Sequence, residues 1–170
     1  VQLVEANVLD VGDEPFDAIG AFNFSYWIFK RREDLLRYFR RVRNSLADDG
    51  VFFLDHYGGS DAMVECREKT RVDKFTYVWE QADYEPISGD YLCHIHFHFP
   101  DGSKLKKAFS YDWRLWTLPE ITDLLDEAGF RDITVYWETE DKDGEPSGEF
   151  EPVEAGDNDP AFVVYLTARP

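Results

Sequence analysis

Residues 51–55 read Val-Phe-Phe-Leu-Asp, four apolar residues in a row, and no other feature of the chain constrains its fold as strongly. A strand with one solvated face alternates. An unbroken apolar strand is covered on both faces, as in the centre of a layered α/β sheet. What precedes it agrees. Residues 16–22 (F-D-A-I-G-A-F) read as a buried strand, with Gly20 and Ala21 small enough for a neighbour to approach closely. Between the two, residues 33–46 place Leu35, Phe39, Val42 and Leu46 on one helical stripe, and Asp49-Gly50 reads as its stop. Strand, helix and strand in that order predict a right-handed βαβ unit in a parallel sheet.

The character then changes. Ser60 can cap a short helix through about residue 69. Residues 75–81, 91–99 and 105–111 read as strands, the last two joined by the hairpin turn P-D-G-S. An antiparallel patch, residues 71–115, is therefore expected as an insert in an α/β frame. Thr117-Leu118-Pro119-Glu120 is a helix start: Thr117 caps, Glu120 completes a capping box, and proline is tolerated in the first turn. Leu118, Ile121, Leu125 and Ala128 form the apolar stripe, and Gly129 suits the left-handed stop. Residues 133–137 and 162–168 read as the last strands. Residues 1–4 form a short apolar stub, read as a further strand, and residues 10–15 (D-V-G-D-E-P) carry turn chemistry.

Charge limits the partners. The formal net charge is −17, which argues against a phosphate backbone or an anionic membrane surface as partner. No apolar run is long enough to cross a bilayer as a helix. Two cysteines, Cys66 and Cys93, form no disulfide framework, so a reducing, cytoplasmic compartment is expected. Seven basic residues and two acids between Lys30 and Arg43 read as the solvated face of the first helix. Ten acids and Lys142 between Glu138 and Asp159, with interspersed Gly and Pro, read as a long solvated loop.

F-D-A-I-G-A-F-N-F-S, a helix, and then L-A-D-D-G-V-F-F-L-D resemble the second half of class I S-adenosylmethionine-dependent methyltransferases. The closing helix, strand, loop and strand agree with that family's order, and the resemblance covers nearly the whole chain. Leu46 to Gly50 stands for the family's L-x-P-G-G-like turn, without its proline and first glycine. Asp55-His56 and the segment K-A-F-S-Y-D-W-R-L-W-T-L-P-E-I look nearest to glycine N-methyltransferase-like small-molecule enzymes. Tyr57 stands where their arginine holds a substrate carboxylate, which argues against a glycine-like acceptor. The family's glycine-rich turn and ribose-binding acid are absent.

The resemblance implies a Rossmann-like sheet lacking its first strands and ending in an antiparallel hairpin. It treats residues 1–170 as the C-terminal portion of one methyltransferase-like domain, an inactive fragment of the complete protein. It implies S-adenosylmethionine as cofactor and a small-molecule acceptor. Asn7 and Val8 would meet the adenine edge, an Asn carbonyl accepting where an Asp commonly does. Phe22 and Asn23 would meet the methionine part. With its first neighbour missing, strand 16–22 is expected at a sheet edge, inviting a homo-oligomer unless residues 1–4 cover it.

Four further readings rest on the residues themselves. Asn23 follows a buried strand, where open α/β sheets bind ligands, and can equally be a turn residue bonding its own backbone. His56 can act as a general base, or be a strand-end histidine bonded to backbone. Tyr111, Trp113, Arg114 and Trp116 can wall a pocket in which Arg114 holds an anion. They can equally form a core cluster with Arg114 stacked on an indole or paired with an acid. His94, His96 and His98 alternate on one strand face at a metal-like spacing, with no carboxylate or thiolate placed to complete a site. The rival to the enzyme is thus a non-enzymatic α/β binding module whose histidine-bearing sheet holds a metal or another ligand.

Overall fold

The computed structural model describes residues 1–10 and 15–170, so most of the 10–15 turn lies outside the described residues. The elements are β1 (Phe16–Ala21), α1 (Arg32–Asn44), β2 (Leu46–Gly58), β3 (Cys66–Val72), β4 (Phe75–Tyr84), β5 (Asp90–His98), β6 (Lys104–Arg114), α2 (Leu118–Ala128), β7 (Arg131–Glu140), β8 (Pro146–Val153) and β9 (Phe162–Arg169). They form two sheets. The five-stranded one has the order β1-β2-β9-β7-β8, and the four-stranded one the order β3-β4-β5-β6.

The parallel pair is present: Ile19 lies opposite Phe52 and Ala21 opposite Leu54, with α1 as the crossover. β9 runs antiparallel between β2 and β7, as expected of the closing strands. The first helix stops before Leu46. Ser45 Oγ donates to the Arg41 carbonyl at 3.0 Å and closes the last turn, and the Ser45 carbonyl accepts from the Phe16 N–H at 2.9 Å, drawing the chain into the sheet. Leu46 then begins β2, and the segment expected to be a turn is a bulge inside that strand. Residues 47–50 stand opposite Asp17 alone, because Phe16 pairs with Leu46 and Ala18 with Val51.

α1 and α2 cover one face of the five-stranded sheet. Leu35, Phe39, Phe52, Leu125 and Phe130 are fully buried there, with the Phe52 and Phe130 rings stacked at 5.7 Å. The Thr117 and Glu120 capping box forms, and Gly129 takes φ of 96°, a left-handed stop that a side chain would strain. The helices are tied by an Arg32–Glu127 ion pair and by Arg43 Nε donating to the Gly129 carbonyl at 2.9 Å. The other sheet face is more open: Phe53, Val163 and Tyr165 are each 38% exposed. The close approach expected at Gly20 comes from within the chain, since a Cβ there would lie 2.5 Å from the Phe22 ring.

Three expectations are corrected. Residues 60–69 are not a helix: a 3₁₀ turn, Ser60–Met63, leads into β3. The acidic stretch is not all loop, because β8 pairs with β7 as an edge strand. Its alternate residues need no apolar cover, so burial left no pattern to read. Residues 1–4 form no strand and stay exposed, so they do not cover β1. The P-D-G-S hairpin does form: Phe99 N–H donates to the Ser103 carbonyl at 2.9 Å, and Gly102 has φ of 85°. Among the described residues no helix is long and apolar enough to cross a membrane.

Candidate functional site

β1 and β2 end side by side, and the chain leaving β1 makes a tight turn. Asn23 and Phe24 both take left-handed backbone conformations, with φ of 56° and 53°. For residues with a Cβ this costs about 1–2 kcal/mol each. Asp55, at the end of β2, holds the turn. Its Oδ2 accepts from the Asn23 N–H at 2.8 Å and its Oδ1 from the Phe24 N–H at 2.9 Å. Burial pushes the Asp55 carboxyl above its ordinary range, against the two N–H bonds that hold it down.

The next residue along β2 is sealed. His56 is fully buried, and burial lowers its imidazole to about 3. The Tyr26 hydroxyl lies 2.9 Å from the Asp55 carbonyl and 3.0 Å from His56 Nδ1. One hydroxyl proton serves one acceptor. With that proton on the carbonyl, Nδ1 carries the ring hydrogen and donates to Tyr26, and Nε2 is a bare lone pair without a partner. The ring is fully enclosed and bonded to Tyr26, the position of a packed histidine rather than of a general base open to solvent.

Beyond the turn stands the four-stranded sheet. Tyr77 and Trp79 of β4, Ile95 of β5, and Tyr111 and Trp113 of β6 join Asn23 and Phe24 around a cavity of about 460 Å³. The ring of Phe24 meets Trp27 at 5.0 Å, stacked, and Trp113 at 6.4 Å, edge-on. The Tyr57 ring lies 6.2 Å from Phe24, and its hydroxyl donates to Gln81 Oε1 at 3.2 Å. Gln81 Nε2 in turn donates to the Asp61 and Val64 carbonyls at 2.9 and 2.6 Å. Tyr57 thus braces β2 against β4, and burial pushes its phenol up to about 12.

The sequence-derived residues therefore separate. Asn23 and Trp113 line this cavity, Phe22 lies half exposed beside it, and Tyr57 stands behind Phe24. Arg114 does not serve it. Its guanidinium lies 3.8 Å over the Trp116 ring, donates to the Lys30 carbonyl and pairs with Glu120 at 3.0 Å, which corrects its anion-binding reading in favour of a structural one. Asn7 and Val8 line other hollows. Asn7 Oδ1 accepts from the Leu9 N–H at 3.0 Å beside α1, and Val8 lies with Phe16, Ala18 and Tyr38 along the β1 edge.

The histidine strand does not form the metal site either. His94 Nδ1 bonds Ser110 at 2.8 Å; both nitrogens of His96 are engaged, Nε2 with Glu80 at 2.7 Å and Nδ1 with the Lys107 N–H at 3.0 Å. His94 and His96 are buried and His98 is half-buried. No group of three metal-ligating residues is found among the described residues. Sequence reasoning missed Asp55 as the clamp, and Phe24, Tyr77 and Trp79 as wall. The wall had a signal: Phe75, Tyr77 and Trp79 alternate.

No protein-family model matches the sequence, and no curated protein matches it. Solved structures do match in shape. A S-adenosylmethionine-dependent methyltransferase from Clostridium acetobutylicum superposes with TM-score 0.66 at 16% identity, over 99% of this chain and 64% of that one. The CcbJ methyltransferase from Streptomyces caelestis gives 0.69 at 13%, over 98% and 66%. CalS10, an amino pentose methyltransferase from Micromonospora echinaspora, gives 0.58 at 12%, over 97% and 63%. The chain thus spans about two thirds of the length of the structures it matches. At these identities the likeness speaks for architecture alone, and the architecture is plain: the chain has the fold of the S-adenosylmethionine-dependent methyltransferases.

Proposed function

We propose that residues 1–170 form the C-terminal portion of one class I methyltransferase domain, with the four-stranded sheet as its insert. The domain transfers a methyl group from S-adenosylmethionine to a small-molecule acceptor. The observation that supports this is the aromatic cavity at the paired ends of β1 and β2, opening beside the Asp55-clamped turn. Ligands of open α/β sheets bind at such strand ends.

The residues present fit the donor's reactive end. Phe24, Trp79, Tyr111 and Trp113 supply ring faces that favour a cation over a neutral group. S-adenosylmethionine supplies an activated methyl on a sulfonium. The cavity lining holds no carboxylate or imidazole, so its contribution is to orient the acceptor and exclude water rather than to remove a proton. An acceptor that arrives unprotonated suits this lining.

The test is a titration of the chain with S-adenosylmethionine, followed by backbone amide shifts. Shifts are expected at residues 22–24 and 111–113, saturating near the millimolar range because only one end of the ligand is held, and Trp113→Ala should remove them. Shifts elsewhere, or none at millimolar ligand, would overturn the proposal.

A further inference from the structure

The four-stranded sheet has two faces of opposite character. One closes the aromatic cavity. The other is concave, with a cavity of about 700 Å³ floored by Val78. Arg67 and Lys69 of β3 line one side, His96 and His98 of β5 the middle, and Lys104, Lys106 and Lys107 of β6 the other side. Cations so concentrated are unexpected in a chain of net charge −17.

The backbone is shaped to bring them together. A regular strand sends consecutive side chains to opposite faces. In β6 the pairing jumps from Ile95–Phe109 to Phe97–Leu105, so residues 106–108 stand opposite His96 alone. Lys107 takes φ of 50° in this bulge, and its N–H is secured on His96 Nδ1. Lys106 and Lys107 then both line the cavity.

Of these arginine and lysine cations, Arg67 alone is paired within the described residues. Glu80 is engaged by Arg67 and by His96 Nε2. Lys69, Lys104, Lys106 and Lys107 form no ion pair with any described residue. The field is felt locally: burial first, then Lys104, Lys69, His96 and Lys106, hold the His98 imidazole below its ordinary range.

We propose that this face is a binding site for a small molecule carrying two or more linked phosphate groups. Several unpaired ammonium groups beside an Arg call for a multiply charged anion, where a single carboxylate would leave most of them uncompensated. The acidic remainder of the molecule repels an extended phosphate backbone and leaves a compact ligand as the occupant. The site lies on the face opposite the aromatic cavity and stands independently of the methyltransferase reading.

Calorimetric titration of the chain with inorganic tripolyphosphate, and separately with a nucleoside triphosphate, tests it at low salt. Lys104→Ala/Lys106→Ala is the variant, and Lys142→Ala, on the acidic hairpin, is the control. We expect binding that weakens steeply with added salt and at least about tenfold in the double variant, unchanged in the control. Equal affinity for both probes assigns the site to free oligophosphate, and tighter binding of the nucleotide assigns it to a nucleotide; either outcome supports the proposal. Lys69→Gln provides a second reading if the double variant melts early. Absence of heat with both probes, or equal losses in variant and control, overturns the proposal. So does a change of the double variant from dimer to monomer by light scattering, which would mean that a second copy covers the face.

Discussion

Asp55 shows how one carboxylate can set a local conformation. Its two oxygens accept from two successive backbone N–H groups of a turn that would otherwise relax toward ordinary backbone angles. Asp55→Asn turns one acceptor into a donor facing an N–H, and should destabilise the chain by about 1–3 kcal/mol while speeding amide exchange at Asn23 and Phe24. Unfolding in urea and exchange rates check this; slow exchange in the variant would contradict it. His56 yields a pH dependence. Its folded value is about 3 and its ordinary value 6.5, so between these the unfolded chain holds a proton that the folded chain lacks. Stability from His56 is therefore complete above about 6.5 and falls by about 1.4 kcal/mol per pH unit below it. His56→Phe should flatten that slope relative to the parent in denaturation measured from pH 7 to 4. Thr117 and Glu120 were legible in the sequence because a capping box spans four residues. Asp55 was not, because its partners lie 31 and 32 residues away.

At the scale of elements, legibility followed burial. β2 and α1 announced themselves by apolar runs and stripes. β3 (C-R-E-K-T-R-V) did not, since all but its first residue are exposed and it is held by its ladder to β4. β8 was hidden for the same reason. α2 is the opposite case, with local and tertiary signals agreeing. Thr117→Ala should cost about 1 kcal/mol, seen as a lower melting temperature, and Thr117→Ser should restore most of it. No change in Thr117→Ala would mean that burial of Ile121, Leu124 and Leu125 alone defines the helix start. The aromatic wall needed two strands in register before it became visible: Trp79 meets Tyr111 at 6.3 Å and Trp113 at 6.5 Å across β5.

For the whole molecule, the net charge of −17 outweighs the benefit of its exposed ion pairs, each worth at most about 1 kcal/mol. Added potassium chloride screens both, but self-repulsion sums over the surface. The melting temperature should therefore rise with salt, and a fall would show that the ion pairs prevail. The order of the strands was legible from resemblance and the open β1 edge from the same comparison; the opposed faces of the second sheet were not, because a bulge in β6 alters the alternation that sequence reading assumes. The five-stranded sheet also has unlike ends. β8 carries Glu149 and Glu151 between Pro146 and Pro152, so charge and missing N–H groups discourage a further strand. β1 presents Phe16, Ala18 and Gly20 with one acid, Asp17, and no proline. Among the described residues the sheet is therefore directional: its β8 side resists a further strand, and its β1 side has the backbone and side chains to accept one.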